Sequence, residues 1–242
     1  MVIDNRNTIL NILKNDFVKY TTDNQHIMYV VQVLLRKKDG CELDNYPVYQ
    51  KSINKIEDCE KIFDQAIKIA KEKNGRVYIN ASPKIKENIS LCIAKELIDK
   101  NLQNSIQEKS FESIIYSVAT RSGNTPCSRV IFDFDIPNVT GDQLVCIVTF
   151  FSHLSVTNPY WYKTPNGLHV VCDMNIDFLD PNNFDRHMTD KFKECIIASY
   201  CNDNHLDAPR VGTQLKTMYK NLMHKDSGNM LLYYENQLNV TL

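Results

Sequence analysis

Arg129-Val130-Ile131-Phe132-Asp133-Phe134-Asp135 is the stretch on which the fold turns. A strand's period of two puts Val130, Phe132 and Phe134 on one face and Asp133 and Asp135 on the other. The apolar face reads as core. The other carries two carboxylates near the end of a mostly apolar strand, and holding like charges together is costly unless a cation compensates them. Oxygen donors of this kind suit a divalent ion such as Mg²⁺ or Mn²⁺. By itself the Asp-x-Asp tripeptide leaves a second reading open, a pair of solvated acids at a strand end.

Working outward, Tyr160 to Thr164 and Leu168 to Met174 read as two strands joined through Pro165-Asn166-Gly167, and Asn-Gly is a strong hairpin signal. In the second strand Leu168, Val170 and Cys172 take the core face, which sends His169 to the other. Further elements flank the pair. Ser128 to Ile136 is the strand already quoted, stopped by Pro137. Thr140 with Gln143 matches a capping box opening a helix to about Leu154, although Leu144 to Phe151 is apolar enough to be a buried strand. Phe184, Met188, Phe192, Cys195 and Ile196 mark a helix, and Met230 to Tyr234 a last strand. The order β-α-β-β-α-β over residues 106–242 is that of ferredoxin-like, or RNA-recognition-motif-like (RRM-like), folds. There the first and third strands are neighbours, so His169 is expected on the same surface as Asp133 and Asp135.

Residues 1–105 form a separate αβ module, giving an α+β chain. His26 to Arg36 is a β-branched strand closed by Asp39-Gly40. Ile56 to Lys73 is an amphipathic helix with Ile56, Cys59, Ile62, Phe63, Ala66, Ile67 and Ala70 on one stripe. Asn74-Gly75 ends it, and Arg76 to Asn80 reads as a short strand. A second helix follows, carrying Ile85, Ile89, Cys92, Ile93, Leu97 and Ile98. The polar run Asn101 to Ser110 is the linker.

Composition excludes several classes. With 43% hydrophobic and 24% charged residues the chain is an ordinary globular one, not a disordered one. No apolar run is long enough for a membrane span. Asp4, Asn5 and Arg6 stand where a signal peptide needs an apolar block, so no membrane partner and a cytoplasmic location are expected. The eight cysteines form no Cys-x-x-Cys pair and fall largely at apolar positions, the pattern of reduced core thiols. A net charge of −1 argues against a polybasic binder. Locally the balance differs, because Arg210, Lys216, Lys220 and Lys225 lie in a segment with no acid, a composition suited to phosphate groups or to an ordinary solvated loop.

Taken together, hydrophobic-Asp-Phe-Asp (132–135), Thr-Pro-Asn-Gly-Leu-His (164–169), and Asp207 followed by Arg210-Val-Gly-Thr-x-x-Lys216 resemble the three-motif signature of archaeo-eukaryotic primases and primase-polymerases. The resemblance spans about residues 128 to 220 and implies an N-terminal αβ module joined to an RRM-like catalytic module. It implies a DNA-dependent nucleotidyltransferase that makes or extends primers on single-stranded DNA from NTPs or dNTPs. Asp133, Asp135 and Asp207 resemble the acids that hold two Mg²⁺ or Mn²⁺ ions, with Asp203 a substitute for Asp207. His169, Arg210 and Lys216 resemble the triphosphate contacts, with Lys163 and Arg129 as further candidates. The proline often found before the family's Gly-Thr is absent here. No Walker-type helicase motif is present, so a helicase would be a separate partner or a further portion, and the gene's origin would be a prokaryotic cell, virus or plasmid.

Three other functions compete. A rolling-circle replication endonuclease needs paired histidines, and Leu168-His169-Val170 supplies one. A glycosyltransferase with an Asp-x-Asp metal motif would need a Gly-rich nucleotide-sugar domain. A catalytically silent RRM-like binding module would put stacking aromatics where Asp133, Asp135 and His169 stand.

Overall fold

The computed structural model describes residues 1–42, 45–102, 114, 117–118, 124–126, 129–134, 141, 144, 157–173 and 228–235. Along them run β1 (Val2–Asp4), α1 (Arg6–Thr22), β2 (Ile27–Leu35), β3 (Tyr46–Ile53), α2 (Cys59–Lys73), β4 (Arg76–Asn80), β5 (Lys84–Ile85), α3 (Lys86–Leu102), β6 (Arg129–Phe134), β7 (Thr157–Thr164), β8 (Gly167–Asp173) and β9 (Asn229–Glu235). The protein is α+β with antiparallel sheets. It divides into two compact units, residues 1–127 with 229–242, and residues 128–228.

In the first unit the sheet order is β1-β9-β4-β2-β3, with β5 paired to β2. β2 is buried along all but its last residue, as an apolar strand covered on both faces must be. Its alternation divides the core. Tyr29 meets Phe17 edge-on at 6.1 Å and donates a hydrogen bond to Asp16, both on α1. Met28 and Val30, on the opposite face, pack with Ile89, Ile114 and Val118. The apolar stripe of α2 is buried as its spacing predicts, at Cys59, Ile62, Phe63, Ala66, Ile67 and Ala70. Residues 56–58, expected as its first turn, form a 3₁₀ turn instead. α2 stops at Asn74, whose φ of 52° is left-handed, and Gly75 follows because a Cβ there would stand 2.7 Å from Val33 Cγ1.

A buried ion pair ties the turn after β2 to β4. The Arg76 guanidinium donates to Asp39 through Nε at 2.6 Å and Nη2 at 2.5 Å, and it also lies 4.2 Å over the Tyr234 ring on β9. This bidentate geometry raises the pKa of Arg76 despite its burial.

One expectation is corrected. The strand at 230–234 is expected in the second module, as the last of its β-α-β-β-α-β series. It is β9, and it pairs with β1 and β4 in the first unit. Met230, Leu231, Leu232, Tyr233 and Tyr234 are all buried, so both faces of β9 are apolar and the strand suits an interior position.

The second unit contributes a three-stranded sheet in the order β6-β8-β7. The β7–β8 hairpin forms where Pro165-Asn166-Gly167 predicts it, Thr164 facing Gly167 across the turn. Of the helix expected near 140–154 only residues 141 and 144 are described, both helical, and the helix expected near 184–196 lies outside the described residues. Among the described residues no helix is long and apolar enough to cross a membrane.

Candidate active site

The site is set by register. Across β6 and β8, Asp133 is the cross-strand partner of His169, and across β8 and β7, His169 is the partner of Tyr162. Directly opposed residues of antiparallel strands share a face, their Cα atoms about 4.5–5.5 Å apart. Asp133, His169 and Tyr162 therefore form one row across the sheet. The expected juxtaposition of Asp133 with His169 is present in the backbone pairing. His169 is half-buried, and its Nδ1 lies 2.8 Å from the buried Tyr162 hydroxyl, the rings meeting edge-on at 5.1 Å.

This face is not open along its length. Val171, two residues from His169 on the same face, is fully buried, as are Val170 and Cys172 around it. The half-buried position of His169 thus falls towards the turn end of β8, where Gly167 has no side chain. The expectation of an exposed carboxylate face against a one-sided core is too simple, because the central strand is covered on both sides over 170–172.

The remaining candidates divide. Arg129 is the cross-strand partner of Asp173, on the same face as Asp133 but four residues back along β6, about 13 Å at strand rise. Its guanidinium is buried and donates through Nε to Asp173 Oδ1 at 2.8 Å. Lys163 is paired in register with Leu168, which puts it on the face opposite His169, where it is exposed. The register therefore brings neither basic residue alongside His169. Asp135, Asp203, Asp207, Arg210 and Lys216 lie outside the described residues.

Burial pushes the Cys172 thiol up to about 12, with the neighbouring Asp173 charge adding and Arg129 opposing. Cys59 is likewise raised to about 12, first by burial and then by Asp58 and other nearby acids. Both thiols are buried in the core, where a raised pKa keeps them protonated at neutral pH. Among the described residues no cluster of three or more His, Cys, Asp or Glu side chains is arranged to hold a metal. A hollow of about 290 Å³ between α1 and α2, lined by Arg6, Asn7, Leu10, Glu60, Phe63 and Asp64, contains none of the residues marked by the motifs.

Sequence reasoning missed Tyr162 and Asp173. A signal for Tyr162 was available, since counting back from a two-residue turn pairs Thr164 with Gly167 and so Tyr162 with His169. No protein-family model, curated protein or solved structure matches this chain.

Proposed function

We propose that the chain is a metal-dependent nucleotidyltransferase of the primase-polymerase kind, which makes or extends primers on single-stranded DNA from nucleoside triphosphates. The observation that carries this reading is the register pairing of Asp133 with His169. Two short motifs, separated in sequence, each supply a chemically distinct group to one row of one sheet. The strand order β6-β8-β7 is compatible with the first three strands of an RRM-like module, whose first and third strands are neighbours, although the strand expected as its fourth, β9, pairs in the other sheet.

In this reading Asp133, Asp135 and Asp207 supply the oxygen donors for Mg²⁺ or Mn²⁺, and the hard carboxylate set fits such ions better than imidazole does. Bound there, the ions would neutralise charge on the attacking 3′-hydroxyl and the pyrophosphate leaving group. His169 gives a hydrogen bond to a phosphate oxygen of the incoming nucleotide. Arg210 grips the triphosphate bidentately, and Lys216 adds a point charge. Arg129, held by Asp173, fixes the β6–β8 register rather than touching nucleotide. A separate helicase partner and a cytoplasmic location, in a prokaryotic cell or in the host of a virus or plasmid, belong to the same reading.

The test is incubation with single-stranded DNA, labelled NTPs or dNTPs and Mg²⁺ or Mn²⁺, with and without a primer. Wild-type chain is expected to incorporate label, and Asp133→Ala and Asp135→Ala to abolish incorporation while keeping the wild-type circular dichroism spectrum. Incorporation by either variant at the wild-type rate with saturating Mn²⁺ would overturn the assignment.

A further inference from the structure

We propose that Tyr162 is a positioning residue for His169, its hydroxyl fixing Nδ1 so that the neutral ring carries its proton on Nε2 and directs that N–H to the ligand. The inference rests on the nucleotidyltransferase reading for the identity of the ligand, a nucleotide phosphate, but not for the geometry. Two contacts restrain the imidazole from β7. The hydroxyl stands 2.8 Å from Nδ1, and the phenol ring packs edge-on against the imidazole at 68°. Tyr162 is itself only 4% exposed, so it is a wall and not a mobile side chain.

The direction of the bond follows from the acids and bases involved. A phenol is a strong donor and a modest acceptor, whereas the unprotonated nitrogen of imidazole is among the best neutral acceptors in a protein. The stronger pairing is O–H donating to Nδ1. One ring nitrogen must carry the proton in the neutral form, and with Nδ1 accepting it is Nε2. An N–H donor is what an anionic phosphate oxygen requires. With the opposite tautomer Nε2 would present a lone pair, and two electron-rich atoms would face each other. Tyr162 thus converts an ambivalent side chain into a donor, and it does so from the strand opposite the one carrying Asp133.

The experiment uses the full chain labelled with ¹⁵N-histidine. Long-range ¹H–¹⁵N spectra identify the His169 resonances by their loss in His169→Gln. The wild-type ring is expected in the Nε2–H form, and Tyr162→Phe, which keeps the ring packing and deletes the hydroxyl, is expected to show mixed tautomers. In parallel, calorimetric titration with a non-hydrolysable nucleoside triphosphate and Mg²⁺ is expected to show Tyr162→Phe binding about 5- to 10-fold more weakly, with His169→Gln at least as weak. An Nδ1–H tautomer in wild type, or a Tyr162→Phe variant with unchanged tautomer or unchanged affinity, would overturn the proposal. A wild-type chain that binds no nucleotide while the tautomer responds as expected would refute the nucleotidyltransferase reading and leave the positioning of His169 standing.

Discussion

Asp173→Ala tests whether Arg129 braces the sheet or serves the nucleotide. The pair joins β6 to β8 on the same sheet face as Asp133 and His169, with Arg129 4% exposed and Asp173 28% exposed. Breaking a deeply buried ion pair costs about 3–5 kcal/mol, because the surviving charge stays out of water. An exposed pair is worth about 0–1 kcal/mol. Burial of the guanidinium puts this pair near the first case, and the partial exposure of the carboxylate moderates it, giving an expected loss of about 2–3 kcal/mol. Asp173→Asn keeps an oxygen to accept from Nε and is expected to recover about half of that loss. The chain provides its own reporter, since its single tryptophan, Trp161, lies on β7 of the same sheet as the register partner of Val170. Urea unfolding followed by Trp161 fluorescence reads the change, and nucleotide affinity measured well below the midpoint is expected to stay at the wild-type value. A loss under about 0.5 kcal/mol, the range of an ordinary surface substitution, would refute the bracing role. So would tighter nucleotide binding, which is what releasing a phosphate ligand from a competing carboxylate would produce.

Three further outcomes are expected. Arg210→Lys is expected to raise the nucleotide KM, and Arg210→Ala to cost about 2–3 kcal/mol of binding in steady-state kinetics; an unchanged KM with weaker, less salt-dependent DNA binding would assign the residue to the template instead. Asp39→Ala is expected to cost about 3–5 kcal/mol in urea unfolding, whereas Asp39→Leu with Arg76→Met is expected near neutral, so equal losses in the two would refute the burial argument. Alkali supplies the third test: Cys59 and Cys172 are raised from 9.0 to about 12. The unfolded chain therefore releases these protons first, so their stabilisation is complete below about pH 9 and is lost as pH rises towards 12. Thermal melts across that range should show the decline reduced in Cys172→Ala, and modification of native Cys172 by a thiol reagent at neutral pH would contradict its burial.

Local pattern made most of the described strands legible. Arg76 to Asn80 is the expected strand, and the apolar stripe of α2 lies where its period places it, because both burials follow from spacing alone. The β7–β8 hairpin was likewise readable, since a short turn fixes register without help from distant chain, whereas the neighbouring of β6 and β8 followed from the expected strand order alone. α1 was not anticipated. Its sequence, Arg6–Thr22, is polar overall and buries only Ile9, Ile12, Leu13, Asp16 and Tyr20, so its amphipathic signal is faint. β3 was not anticipated either, being an edge strand whose residues are mostly exposed or half-buried and which includes Pro47. The sheet to which β9 belongs is not legible in its sequence for a different reason. Periodicity reports which faces of a strand are buried, not which strand lies beside it, and its partners stand far away in sequence. The unbroken apolar run 230–234 was the available clue to an interior position.

That placement of β9 bears on how the chain acquires its structure during synthesis. β1, among the first residues made, joins its sheet through β9, and Asn5 Nδ2 donates to the Leu231 carbonyl across 226 residues of chain. The whole of residues 128–228 must leave the ribosome before the first sheet is complete. At about 5–20 residues per second that is a wait of roughly 5–20 s, during which β4 offers an unsatisfied edge and β1 has no strand to join. The inserted unit needs no such delay for β6, β7 and β8, so folding order on the ribosome is expected to invert the order of translation. A nascent chain arrested before Asn229 should bind chaperones through the open edge of β4, and release past Glu235 should end that binding.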